Sequence, residues 1–189
     1  MVIIMKENLI IYLISGKARN GKTTTAKMIK EYYEKNDKQA IITSIGKYIK
    51  MYVKELTDWD GRDETKPRDL LQNLGTGIIR EKLGRNDFFV KRLDEDFDVY
   101  NEYVNAVMVD DVRLPIEMEY FLEKYPERIV TIHIIRPNFD NALTSTQKSH
   151  VTEVGLDNYN DYDYTIMNDG SLDDLREKID ELIERIDKR

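Results

Sequence analysis

The chain has 189 residues, 41% hydrophobic and 34% charged, which suits a folded globular domain and not a disordered tail. No uninterrupted apolar stretch approaches the roughly 20 residues that a membrane-spanning helix needs, so no membrane association is expected. The 29 Lys and Arg against 36 Asp and Glu, a net charge of -7, predict no stable nucleic-acid partner, and the absence of cysteine excludes disulfides and predicts a cytoplasmic location.

The N-terminal "MVIIMKENLIIYLISG" is broken by Lys6, Glu7 and Asn8 and lacks a small-residue cleavage site. It reads as a strand leading into a loop rather than a signal peptide. The strand proper is "LIIYLI", residues 9–14, and "TTTAKMIKEYYEK" after the loop has helical spacing, with Ala26, Ile29 and Tyr33 on one face. "QAIITS" is a second strand, "YIKMYVKEL" a second helix, and "DWDGRDETK" a polar connector, after which Pro67 is expected to open the next helix. "NAVMVDD" is a third strand ending in two carboxylates, and "LPIEMEYFLEKY" a helix with Pro115 near its start. "RIVTIHII" is a fourth strand closed by Arg136-Pro137, residues 138–161 are polar and weakly patterned, and "YDYTIMN" is a fifth strand before an amphipathic terminal helix.

Nearly continuous apolar strands alternating with helices predict a five-stranded parallel sheet covered on both faces, an α/β fold of three α/β/α layers. The expectation is one domain over residues 1–189, with a helical insertion at about residues 46–104. In such sheets ligands sit at the carboxyl ends of the strands, where the loop, the acidic pair, Arg136 and the Asn168 turn all emerge.

The first strand runs into "SGKARNGKT", which fits G-x-x-x-x-G-K-[ST], with a helix following. Gly16 and Gly21 let the backbone wrap so that its N–H groups face phosphate oxygens, Lys22 reaches the terminal phosphates, and the Thr23 hydroxyl coordinates Mg²⁺. The nucleotide-binding set is therefore Gly16, Lys17, Ala18, Arg19, Asn20, Gly21, Lys22, Thr23 and Thr24, with Lys17 and Arg19 read as peripheral to the chemistry. The carboxylate that such a loop needs comes from "VMVDD", where Asp110 or Asp111 holds the metal directly or through water; the sequence does not separate them.

"PRDLLQNLGTGIIREKLGRNDFFVKRL" has apolar residues at helical spacing, interrupted by Gly75 and Gly77. Either the glycines mark close packing or a break between helices, or their missing side chains let a substrate approach the backbone, with Thr76 and Arg80 facing it. With "DDVRLPIE", "HVTE" and "YTIMNDGSLDDL", this stretch resembles the deoxynucleoside monophosphate kinase family of phages and bacteria. The matching positions are Gly75, Thr76, Arg80, Gly84 and Asp87, then Asp111, Val112 and Arg113, then His150 and Glu153, and finally Asn168, Asp169 and Gly170. They run in family order over most of the chain. Gly77, Phe89 and Thr152 depart from it, standing where glutamate, tryptophan and serine are common, so no base preference is carried over.

The resemblance implies a P-loop nucleoside monophosphate kinase that moves the γ-phosphoryl group of ATP, with Mg²⁺, onto a nucleoside monophosphate. It makes Lys22, Asp111 and Arg113 the catalytic candidates. Arg80 and Arg113 would take the acceptor phosphate as bidentate forks, with Arg68, Gly75, Thr76 and Asp87 completing the acceptor set. Residues 138–161, flanked by Arg136 and carrying His150 and Glu153, would form a cover that excludes water. The His150–Glu153 spacing also suits a zinc ligand pair, but no further Cys or His cluster accompanies it. Asn168 and Gly170 would pass near the donor adenine, or serve only as a strand-to-helix turn. A P-loop kinase for another phosphorylated metabolite or a nucleic-acid end, and a regulatory ATPase, stand as alternatives, and a homodimer is left open.

Overall fold

The computed structural model describes residues 9–139 and 143–187. The reading of residues 1–8 as part of the first strand lies outside them. Five strands form one parallel sheet in the order β2-β3-β1-β4-β5: β1 (Ile10–Ser15), β2 (Ala40–Thr43), β3 (Ala106–Val112), β4 (Ile129–Ile135) and β5 (Tyr164–Met167). In register, Leu13 lies beside Val109 on one side and Thr131 on the other, and Ser15 beside Val112 and His133. The strand ends therefore meet along one edge.

Alternation along the strands divides the core. Tyr12, Ile14, Met108, Ile132 and Ile134 face α1 (Lys22–Lys35) and α8 (Leu172–Ile186), where they meet Ala26, Ile29, Leu175, Ile179 and Ile183. Ile11, Leu13, Val107 and Val109 face the opposite way, onto α4 (Phe88–Tyr103) and α5 (Pro115–Lys124). Each large side chain so buried contributes about 1.5–3 kcal/mol, and the two faces together make a three-layer α/β/α fold.

Between β2 and β3 run α2 (Lys47–Thr57), α3 (Arg68–Gln72), a π-helical stretch from Asn73 to Lys82, and α4. Pro67 stands one residue outside α3, at its N-cap rather than as its first helical residue. Gly75 and Gly77 do not break the helix. The chain passes through them in the wider π geometry, closed by the Leu83 N–H donating to Ile78 O at 2.9 Å. Asp96 accepts from Lys47 at 2.5 Å and Tyr48 at 2.8 Å, and Asp94 accepts from Tyr120, Lys124 and Tyr125, so α2, α4 and α5 hold together. Between β4 and β5 the described residues include two short helices, α6 (Ser145–Lys148) and α7 (Val151–Val154). Among the described residues no helix is long and apolar enough to cross a membrane.

Candidate active site

The loop after β1 has a shape only glycine permits at its two ends. Gly16 has φ 139°, and a Cβ there would lie 2.4 Å from Ile134 O; Gly21 has φ 108°, and its Cβ would lie 2.7 Å from Asn168 Nδ2. Asn20 is buried behind the loop and donates to Ile134 O at 3.2 Å, while Asn168 donates to Asn20 O at 2.9 Å. Asn168 thus ties the loop to the end of β5. Gly21 offers α1 no side-chain cap, which leaves the first-turn N–H groups available to an anion. Lys22 is 8% exposed, and its ammonium donates to Gly16 O at 2.7 Å and Lys17 O at 2.8 Å. Burial, then the nearby Arg113 guanidinium, pulls its pKa down to about 8.

The two adjacent carboxylates have different partners. Asp110 accepts from the Thr23 hydroxyl at 2.6 Å, and burial, then the neighbouring Asp111, raises its pKa. Asp111 accepts from the backbone N–H groups of Ile45 at 2.7 Å and Gly46 at 2.9 Å. It fixes the chain at the start of α2, whereas Asp110 and Thr23 present hard oxygens side by side.

Across the cleft stands Glu117, which the sequence reading did not single out. Its side chain accepts from Arg80 Nη2 at 3.0 Å and from the backbone N–H groups of Arg113 at 2.8 Å and Leu114 at 3.1 Å. One carboxylate thereby locates both arginines. Burial outweighs these donors and pushes the Glu117 pKa up to about 7. Its signals in the sequence were its place at the end of the family-like stretch "DDVRLPIE" and its position three residues after the N-cap of α5, where an acid ordinarily just caps the helix. Arg80 Nε and Thr76 Oγ1, one helical turn apart, are buried polar atoms without a partner among the described residues.

Arg113 donates to Thr152 O at 3.2 Å and pairs with Glu153 from α7. The other Glu153 oxygen accepts the Ala18 N–H at 3.2 Å, and Lys17 donates to Glu153 O at 2.8 Å and pairs with Asp157.

One cleft of about 820 Å³ gathers Ala18, Arg19, Gly21, Lys22, Thr23 and Thr24 on its loop side with Asp110 and Asp111 below. Arg68, Gly75, Thr76, Arg80 and Arg113 line the opposite side, with Glu153 between. Gly16 and Lys17 border a smaller neighbouring cavity of about 340 Å³. Asp87, placed in the acceptor set on resemblance, lies outside the cleft and pairs with Lys91 at 2.6 Å. Arg136 is exposed and stacks on Phe139 at 4.0 Å, His150 caps α7 through Thr152, and Gly170 packs on Asp174; none of the three lines the cleft. Of the departures from the family pattern, Gly77 turns towards Asn73, while Phe89 is buried beneath the Arg80 guanidinium, 5.4 Å from its ring centroid. Among the described residues no three His, Asp or Glu side chains converge as a metal cage.

The decisive comparison is with family models: the deoxynucleotide monophosphate kinase model matches residues 36–179, more than half of the chain. The chain belongs to the deoxynucleotide monophosphate kinase family. The matched region begins after the glycine loop, so the reading of that loop rests on its own geometry. No curated relative matches this kinase-family chain. Among solved structures, the APS kinase of Mycobacterium tuberculosis in complex with AMPPNP and APS superposes with a TM-score of 0.57 at 11% identity, over 94% of this chain and 98% of that one. The shikimate kinase of Acinetobacter baumannii in complex with shikimate gives a TM-score of 0.51 at 16% identity, over 96% and 95% of the two chains. At such identities the likeness is one of fold, shared among small-molecule P-loop kinases.

Proposed function

We propose that this family member transfers the γ-phosphoryl group of ATP to the phosphate of a deoxynucleoside monophosphate, giving the diphosphate. The observation that carries this reading is that one cleft holds an anion-binding loop with a buried lysine and, facing it, two arginines located by a single carboxylate. Both reactants are anions, so the chemistry needs cations at two neighbouring places more than it needs a protein nucleophile.

The N–H groups of the loop from Gly16 to Thr24 and the Lys22 ammonium take the donor phosphates. The Thr23 hydroxyl and the Asp110 carboxylate, 2.6 Å apart, fit a magnesium ion shared with those phosphates. Held by the Thr23 hydroxyl and the Asp110 carboxylate, such an ion would offset the charge of the donor phosphates. Asp111 keeps the start of α2 in place beside it. Arg80 and Arg113 take the acceptor phosphate, and the unpartnered Arg80 Nε and Thr76 Oγ1 supply further contacts to it. An acceptor phosphate oxygen then attacks the γ-phosphorus, the bond from that phosphorus to the bridging oxygen breaks, and ADP leaves. The helices of about residues 46–104 serve as the acceptor-binding insertion. Within 138–161, of which 140–142 lie outside the described residues, the cover reaches the cleft through Leu143, Gln147, Thr152 and Glu153.

A dinucleoside pentaphosphate, which joins the two substrates through their phosphates, tests this arrangement by calorimetry. It is expected to bind at least about tenfold more tightly than ATP or a nucleoside monophosphate alone. Affinity no better than that of ATP would mean that the arginine side does not receive a second phosphate.

A further inference from the structure

The Ala18 N–H belongs to the glycine loop and the Arg113 guanidinium to the facing side of the cleft, and both hold the same carboxylate. Glu153 spans them, with Oε2 on the Ala18 N–H at 3.2 Å and Oε1 on Arg113, and its side chain is only 7% exposed. Its backbone oxygen accepts from Lys17 at 2.8 Å, and the same lysine pairs with Asp157 four residues on. The Lys22 ammonium is turned onto the loop carbonyls of Gly16 and Lys17. Lys17, Lys22 and one nitrogen of Arg113 are thereby engaged from within the chain.

A carboxylate gripped by a loop N–H and a guanidinium is bound as a phosphate oxygen would be. Two anions cannot share those donors, so a phosphate entering the seat must displace Glu153. Taking Arg113 from Glu153 is a task for which the acceptor phosphate is equipped and water is not.

We propose that Glu153 is a positioning residue that decides between nucleotide and water as the acceptor. It withholds Arg113 and the Ala18 N–H until an acceptor phosphate claims the arginine. Transfer and hydrolysis break the same bond, from the γ-phosphorus to the oxygen bridging to ADP. They differ only in the attacking oxygen: that of the acceptor phosphate, or that of water, which also releases a proton and orthophosphate. With Glu153 in place and no acceptor present, Arg113 is not free to support the second route. The proposal rests on the kinase reading above, and its first test does not depend on any turnover.

Calorimetric titration of wild type and Glu153→Gln with inorganic tripolyphosphate is that test. The variant keeps the shape of the side chain, removes its charge, and turns an amide donor towards either Ala18 or Arg113. Its affinity for tripolyphosphate is expected to rise about tenfold, the factor that follows when the filled seat outnumbers the free one by about ten to one. A misfolded or loosened site would bind less tightly, so a gain identifies competition. Asp157→Asn, which breaks only the outer contact to Lys17, is expected to change affinity less than about twofold. With ATP and no acceptor, Glu153→Gln is expected to hydrolyse several-fold faster than wild type. Unchanged or weaker tripolyphosphate binding by Glu153→Gln, an equal gain in Asp157→Asn, or unchanged hydrolysis overturns the proposal. Failure of the kinase reading itself would appear separately, as wild-type protein that makes no diphosphate from any nucleotide.

Discussion

Substituting Asp110 and Asp111 one at a time should produce opposite signatures, although the residues are neighbours. Asp111→Asn leaves one side-chain oxygen where the carboxylate used two, on N–H groups at 2.7 and 2.9 Å. A hydrogen bond to a charged group contributes about 1.5–3 kcal/mol, so losing one should cost about 2 kcal/mol. In a chain of this size that corresponds to a fall in Tm of about 4–8 °C. Asp110 is different: its carboxyl is raised by burial and by Asp111, so the fold disfavours its charge. Asp110→Asn removes that charge and should leave Tm unchanged or slightly higher. The cost falls on magnesium, and the concentration for half-maximal ATP turnover should rise at least about tenfold. Asp111→Asn should keep the wild-type magnesium requirement. Thermal denaturation of the nucleotide-free protein and a magnesium titration read the two effects. Should Asp110→Asn lower Tm while Asp111→Asn shifts the magnesium requirement, the division of labour between them is wrong.

Other substitutions probe the cations. Lys22→Met should reduce turnover at least about 100-fold while leaving the circular dichroism spectrum unchanged. The Lys22 amine titrates at about 8 in the fold against 10.5 unfolded. Between those values the unfolded chain binds the extra proton, so wild-type stability should rise relative to Lys22→Met as pH increases from 8 to 10.5, by about 3 kcal/mol in total. Denaturant titrations across that range would show parallel curves if burial of the charged amine carried no cost. Arg80→Lys loses the planar fork that meets Glu117 and should raise KM for the acceptor roughly 10- to 100-fold, with KM for ATP little changed. Equal effects on both substrates would place Arg80 elsewhere than at the acceptor.

The strands and the glycine loop were legible because their signals are local: apolar runs of sheet length, and glycines at the two positions where positive φ is required. The Asp110–Asp111 ambiguity has a physical resolution that the strand pattern already contained. Asp110 follows the face of Met108, towards α1 and Thr23, and Asp111 that of Val107 and Val109, towards the start of α2, although the register shifts before Val112. Glu117 escaped notice because an acid in the first turn of a helix has an ordinary explanation, and its partner Arg80 is 37 residues away. The grip of Glu153 on Ala18 joins residues 135 apart, and no spacing rule reaches that far. The resemblance supplied Arg80, Arg113 and Glu153 as candidates without saying how they meet. It also supplied Asp87, which the chain fold carries to the start of α4 and outside the cleft.

The central claim is that the phosphoryl group goes to a nucleotide. It is tested most directly by incubating the protein with γ-labelled ATP, magnesium and each ribo- and deoxynucleoside monophosphate in turn. Label is expected in the diphosphate of at least one deoxynucleotide, at a rate well above that of label released as orthophosphate. Label recovered only as orthophosphate with every acceptor would contradict the claim.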